Sequence, residues 1–362
     1  MKKFGKIAAL VAALGFALFL AGCSNSSDSG SNNANGAEAG TETLAGGTGT
    51  GTTQTPEDGA GSGTGNGGGQ SATEASAEYT KVGTETIGST TYDLVTFGLW
   101  PQTIIAAGVT VDKNTCQKQD HGAFTYCKGS DGEWYVEQAE KAWESGYKYS
   151  DGTTVRRGGT SEKWFKVEPI KWRVLTDNYG GNKLLLAESI LIGKRYDDNK
   201  NNYKDSEIRA WLIGDFLQSA FTSAQQGQIK TTTVDNSARS TNPDANATEL
   251  NSGNNQYASD TPTSDKIFLL SEQEVTRNAY GFEAYNSYGA GNKRIRVTTD
   301  FAKATGAYQN STASRGGCWW LRSPSFNSGL SAHNVSDDGY AELNVSVSLS
   351  KLGVVPVLCI SN

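Results

Sequence analysis

Cysteine and histidine are the side chains here with most chemistry to offer, and both are scarce: five Cys and two His in 362 residues. The first cysteine has the clearest context. Lys2, Lys3 and Lys6 precede an apolar stretch over residues 7–20, which ends in Leu20-Ala21-Gly22-Cys23. A basic start and so short an apolar core read as a secretory leader rather than a membrane span. Small residues before a single cysteine form the bacterial lipobox pattern, in which a peptidase cuts ahead of Cys23 and its thiol accepts diacylglycerol. The expectation is an exported protein anchored through lipid at Cys23, on the outer membrane or cell surface.

An exported domain permits disulfides. Cys116 and Cys127 flank a short Gly-containing segment and are expected to close a local loop. Cys318 and Cys359 each sit in an apolar run, where a bridge or two buried thiols fit equally. His121 and His333 stand far apart with no Cys or second His beside them, so a zinc site or catalytic triad has little to build on. Glu168-Pro169-Ile170 lacks the third oxygen ligand a calcium-dependent sugar site requires. Asp337-Asp338-Gly339 reads as a hairpin turn. No cofactor, no metal and no catalytic residue is expected.

Residues 24–78 hold no aromatic, no Lys or Arg, and no large aliphatic but Leu44. Such a Gly/Ser/Thr/Asn/Ala stretch buries too little apolar surface to offset its ordering entropy, and a disordered tether from residue 23 to 78 is expected. The net charge is −6 overall; the leader contributes +3 and the tether −7, which leaves the remainder near −2. A body without a basic field argues against a nucleic-acid partner. All eight Trp fall between Trp100 and Trp320, so residues 79–362 carry the core, expected as one domain with a polar surface insertion over 231–263.

Strands are expected over 92–97, 170–175, 183–187, 266–270, 318–322, 341–349 and 354–360. Ser206 can cap a helix whose apolar residues Ile208, Trp211, Leu212, Phe216 and Leu217 recur at helical spacing. Further short helices are expected from Ser271, with Glu274 completing a capping box, and near Thr299. Many short strands with few helices make the class α+β. Over 341–349 the alternation is strict: Leu343, Val345, Val347 and Leu349 on one face, Glu342, Asn344, Ser346 and Ser348 on the other.

The ordered blocks Phe97-Gly98, Ile170-Lys171-Trp172-Arg173-Val174-Leu175, Ser206-Glu207-Ile208-Arg209-Ala210-Trp211-Leu212, Phe268-Leu269-Leu270-Ser271, Arg315-Gly316-Gly317-Cys318-Trp319-Trp320-Leu321-Arg322-Ser323-Pro324 and Gly353-Val354-Val355-Pro356 resemble a bacterial domain family marked by W-W-L-R-S-P and a terminal G-V-R-P. That family is similar to the C-type lectin fold in its formylglycine-generating-enzyme-like form. The resemblance covers about residues 92–360, with Val355 where the family shows Arg. Oxidase chemistry of that fold group requires a reactive cysteine pair, and Cys318 is isolated. Within the group, the variable proteins of diversity-generating retroelements, the Treponema variable lipoprotein among them, place a hypervariable segment between the tryptophan strand and the last strand. Here that segment is 325–352. The resemblance implies an unknown protein or glycan ligand bound by Phe326, Asn327, Ser328, His333, Asn334, Asp337, Tyr340, Glu342, Asn344, Ser346 and Ser348. The alternative is a cell-envelope enzyme or structural lipoprotein in which 325–352 is inert.

Overall fold

A computed structural model describes residues 76–244, 255–259, 261–341 and 343–362, with Leu343 described by its backbone alone. The expected leader 1–22, Cys23, the tether as far as residue 75, and Glu342 lie outside the described residues. The last tether residues do not. The Ala77 carbonyl accepts from Gly98 N at 2.8 Å and from Gln225 Nε2 at 2.8 Å, so the folded body begins before residue 79.

The strands, in chain order, are β1 Thr80–Ile87, β2 Thr90–Ile104, β3 Lys118–His121, β4 Phe124–Lys128, β5 Trp134–Ala139, β6 Glu162–Tyr179, β7 Asn182–Ala187, β8 Ser189–Ile190 and β9 Ile192–Gly193. They continue as β10 Thr232–Val234, β11 Thr263–Asp265, β12 Ile267–Phe268, β13 Val297–Thr298, β14 Trp319–Pro324, β15 Ser331–Val335, β16 Leu343–Ser346, β17 Gly353–Val354 and β18 Val357–Ile360. Short helices α1 Glu207–Trp211, α2 Leu217–Ala220, α3 Ser223–Gln228 and α4 Asp300–Ala304 complete the α+β fold, α1 running into α2 through a π-helical turn over Leu212–Phe216.

The 18-residue β6 organises the larger sheet. β2 runs antiparallel along one edge, from Leu94↔Arg173 to Ile104↔Phe165, while β5 and β7 share the other. The strand expected over 170–175 begins instead at Glu162 and runs through Pro169. Pro169 is tolerated because it pairs with Leu99 beside a bulge in β2, where a missing N–H breaks no ladder bond. The larger sheet runs β12-β18-β7-β6-β5-β4-β3, with β2 and then β1 beside β6; a second runs β16-β15-β14-β17-β9. Pro356 explains why the expected strand 354–360 is two. Lacking an N–H and with its φ fixed, it ends β17 in the second sheet, and the chain re-enters the first as β18.

Apolar residues of both sheets form one core. Val95, Phe97, Trp172, Leu184, Leu185 and Leu186 contribute from the larger sheet, and Trp319, Trp320, Leu321, Val335 and Val354 from the second. Ile208, Leu212 and Phe216, four residues apart, turn inward from α1 and the π turn as the spacing predicts. Ser206 Oγ caps α1 by accepting from Arg209 N, and Thr299 caps α4. The capping pair at Ser271 and Glu274 is also present, Glu274 N to Ser271 Oγ at 3.2 Å and Ser271 N to Glu274 Oε2 at 2.8 Å, yet it opens only a 3₁₀ turn, Glu274–Thr276.

Glu274 has a second task. Its carboxylate takes Arg322 Nη1 in a buried ion pair and accepts from Tyr179 Oη at 2.7 Å. Burial alone raises the Glu274 pKa, but the Arg322 charge and hydrogen bond outweigh it and hold the carboxyl below its ordinary range. A carboxyl depressed in the folded state stabilises above its unfolded pKa of about 4.3, and that contribution disappears as pH falls through the folded value. Arg322→Met should therefore destabilise by about 3–5 kcal/mol, since it strands a buried carboxylate, and Arg322→Met with Glu274→Met should cost less than the two single changes summed. Urea titrations of the four proteins at pH 7 measure this. Additive losses would show that the pair is not coupled.

Candidate functional site

β14 carries the tryptophans and is buried along its whole length. Trp319 Nε1 donates to the Arg294 carbonyl at 3.1 Å and Trp320 Nε1 to the Lys194 carbonyl at 2.8 Å. Both indoles are wholly buried. Arg294 is wholly buried too, donating to the carbonyls of Gly339, Val275, Glu283, Ala284 and Ser287 at 2.6–3.2 Å. This strand is a frame.

The frame delivers an outward loop, 325–330, held by its backbone. Asn201, almost fully buried, donates Nδ2 to the carbonyls of Ser328 and Ser331 at 2.8 Å each, and its N–H reaches Gly329 O at 3.1 Å. Ser325 N closes the loop onto Ser331 O at 3.0 Å, Asn327 N donates to Ser325 Oγ at 3.1 Å, and Leu330 N donates to Ser328 Oγ at 3.1 Å. With the backbone occupied inward, the side chains of Phe326, Asn327 and Leu330 project outward, Phe326 at 37% and Leu330 at 57% exposure. Leu330 was not among the predicted site residues. An apolar residue in a loop carries no periodic signal, and only the backbone trace reveals that it faces out.

β16 is the edge strand of the second sheet and continues this face. It pairs with β15 from Ser331↔Ser346 to Asn334↔Leu343, and Val347 N reaches Leu330 O at 3.0 Å; a turn closed by Leu349 N to Ser346 O at 3.1 Å then ends the strand short of the expected residue 349. The alternation survives in burial: Val345 and Val347 are buried, Asn344 and Ser348 exposed, Ser346 and Leu349 half-buried. At the far end of the hairpin Tyr340 is half-buried, its ring edge-on to exposed Tyr288 at 6.1 Å. Phe326, Asn327, Ser328, Asn344, Ser346 and Ser348 thus lie on one continuous face, with Tyr340 at its distant end.

Three predicted residues do not belong to it. His333 and Asn334 are buried to 1% and 0% exposure because their stretch of β15 lies between β14 and β16 and is covered by the segment carrying Glu272. His333 Nδ1 contacts Glu272 Oε2. Burial pushes the imidazole down to about 4, against the smaller upward effect of its hydrogen bond with Asn344. Asp337, also buried, is spent on Arg315 at 3.3 Å and on Asn310, and so fixes the hairpin rather than offering itself to a ligand. The turn reading of Asp337-Asp338-Gly339 holds: Asp338 Oδ1 accepts from Tyr340 N at 3.2 Å, and Gly339 has φ of +86° with Asn292 where a Cβ would be.

The remaining candidates are structural. Cys116 and Cys127 form the expected disulfide, with Cα atoms 5.5 Å apart, beside the β3–β4 hairpin. Cys359 is a free, buried thiol, so no bridge joins it to Cys318. Glu168 accepts from Thr103 Oγ1 at 2.6 Å within the β2–β6 pair. His121 packs in the larger sheet against Tyr126, away from His333 in the second. Among the described residues no group of three or more His, Cys, Asp or Glu is placed to hold a metal, and no helix there is long and apolar enough to cross a membrane.

Residues 180–362, just over half of the chain, match the family described as "Domain of unknown function (DUF6273)". No curated protein and no solved structure matches the chain. The matched span begins after β6 and takes in the second sheet, the pinned loop and the edge strand, and the chain belongs to the DUF6273 family.

Proposed function

We propose that the chain is a lipid-anchored envelope protein that binds a protein or glycan ligand on the face formed by Phe326, Asn327, Leu330, Asn344 and Ser348. The observation that carries this reading is the Asn201 clamp: a loop whose carbonyls are tied down while its apolar and amide side chains face solvent is ordered before it binds. Preordering removes an entropic cost that a mobile loop meets on association. Half-buried Ser328 and Ser346 border the face, and Tyr340 with Tyr288 extends it.

The finer fold reading, a C-type lectin-like domain of the formylglycine-generating-enzyme type, belongs to the same proposal. It is supported by the order of the sequence blocks and by a tryptophan strand that ends in an outward loop. Retroelement diversification, if this segment undergoes it, is restricted by packing to Phe326, Asn327, Ser328, Tyr340, Asn344, Ser346 and Ser348. Changes at His333 or Asp337 would strand a buried partner. Lipidation at Cys23 would place the face clear of the membrane on the intervening chain.

Alanine at Phe326, Asn327, Leu330, Asn344 and Ser348 together should abolish adhesion of the purified protein to a glycan array and to cultured cells. Thermal melting should shift little, since exposed substitutions are usually within about 0.5 kcal/mol each. Adhesion undiminished by the five changes would return the segment to a structural role. For the anchor, Cys23→Ala should leave the protein as unprocessed precursor or move it from the membrane to the soluble fraction. Detergent partitioning of a mature-sized product after that change would contradict lipidation.

A further inference from the structure

Away from the C-terminal face, β1, β6 and the segment leading into β13 enclose a recess of about 330 Å³ lined by an unusual set of charges. Arg173 of β6 and Arg296 just before β13 are buried to 1% and 4% exposure, and both turn into it. Arg173 spends Nη1 on Glu85 Oε2 at 3.2 Å, and its guanidinium lies over the rings of Phe282 at 5.2 Å and Tyr92 at 5.8 Å. Arg296 spends Nε on the Ala187 carbonyl at 3.1 Å and Nη1 on the carbonyls of Lys293 and Ile295 at 2.9 and 3.0 Å. What is left is telling. Arg173 Nε and Nη2, Arg296 Nη2 and Glu188 Oε1 are buried with no hydrogen-bond partner. Glu188 Oε1 stands 3.9 Å from Arg173 Nε and 3.5 Å from Arg296 Nη2, close enough to balance charge but outside hydrogen-bonding geometry.

Buried guanidinium N–H groups are rarely left unmade, because each costs about 1–3 kcal/mol. Two such guanidiniums facing one recess form a fork matched to the oxygens of a carboxylate or phosphate. The charges choose between these. Arg173, Arg296 and Lys293 oppose Glu85 and Glu188, a formal excess of one positive charge, and Lys293 is already paired with Glu85 at 2.9 Å. A single positive excess among carboxylates suits a monoanion better than a dianion. The acceptor Glu188 Oε1 asks in addition for an O–H or N–H from the same molecule.

We propose that this recess is a binding site for a small carboxylate that also bears hydroxyl groups, a sugar acid in chemical class. Its carboxylate sits against Arg173 and Arg296 and one of its hydroxyls donates to Glu188. Glu85 and Arg173 precede residue 180 and Glu188, Lys293 and Arg296 follow it, so the site exists only where the family domain meets the strands before it. Val297 stands at the rim, 61% exposed, and a larger side chain there closes the entrance without disturbing the core.

The test is calorimetric titration of the full-length protein in detergent with glucuronate, glucose and inorganic phosphate. Glucuronate should bind one to one, and glucose and phosphate at least ten-fold more weakly. Val297→Trp should abolish glucuronate binding with an unchanged melting temperature, and Lys293→Gln should weaken it ten-fold or more. The five-alanine variant of the C-terminal face should bind glucuronate normally, which separates this site from the ligand face. No heat with glucuronate, equal affinity for glucose, tighter binding of phosphate, or undiminished binding in Val297→Trp would each overturn the assignment.

Discussion

A guanidinium with no access to water has five N–H donors to satisfy, and the way Arg322 satisfies them sets where several distant segments lie. It reaches Glu274, the Leu269 carbonyl at 2.8 Å and the Asp235 carbonyl at 3.0 and 3.1 Å, while Tyr196 donates to its own carbonyl at 3.0 Å. Through Glu274 the network continues to Tyr179 at the end of β6. One side chain thereby joins the larger sheet, the strand that ends in the outward loop, and the polar segment after α3. Removing either charge leaves the other buried, so the arrangement is held by a penalty against alternatives as much as by attraction.

Two further side chains divide the work. Arg294 gathers the 275–287 region and the hairpin turn by donating to five carbonyls, and Asn201 does the same for the 325–331 loop. Buried long polar side chains thus replace regular secondary structure as the means of ordering loops, which fits a chain whose helices are short and whose connections are long. The result is a backbone with little freedom where the outward side chains emerge. That is the condition under which surface residues can change without loss of the fold.

Much of this was legible in the residues. Ile208, Leu212 and Phe216 announced an inward helix face, Ser206 and Thr299 their caps, and Cys116 and Cys127 their bridge. Pattern failed where tertiary context decides. Pro169 and Pro356 look alike in sequence, yet one is absorbed at a bulge inside the longest strand and the other sends the chain from one sheet to the other. His333, Asn334 and Asp337 looked like surface because polar residues among small ones usually are; only the pairing of β15 between β14 and β16, with Glu272 and Arg315 supplying partners, buries them. The recess at Arg173 and Arg296 was out of reach of sequence reading, since its charges come from four separate segments.

Amide hydrogen exchange measures directly whether the frame by itself orders the 325–330 loop. The Ser325, Leu330, Ser331 and Val347 amides, each hydrogen-bonded within the loop and its neighbours, should exchange within about ten-fold of Trp319 and Trp320, and Asn201→Ala should release them while β14 stays protected. Loop amides that exchange at the rate of open coil in the unaltered protein, beside a fully protected β14, would contradict the account.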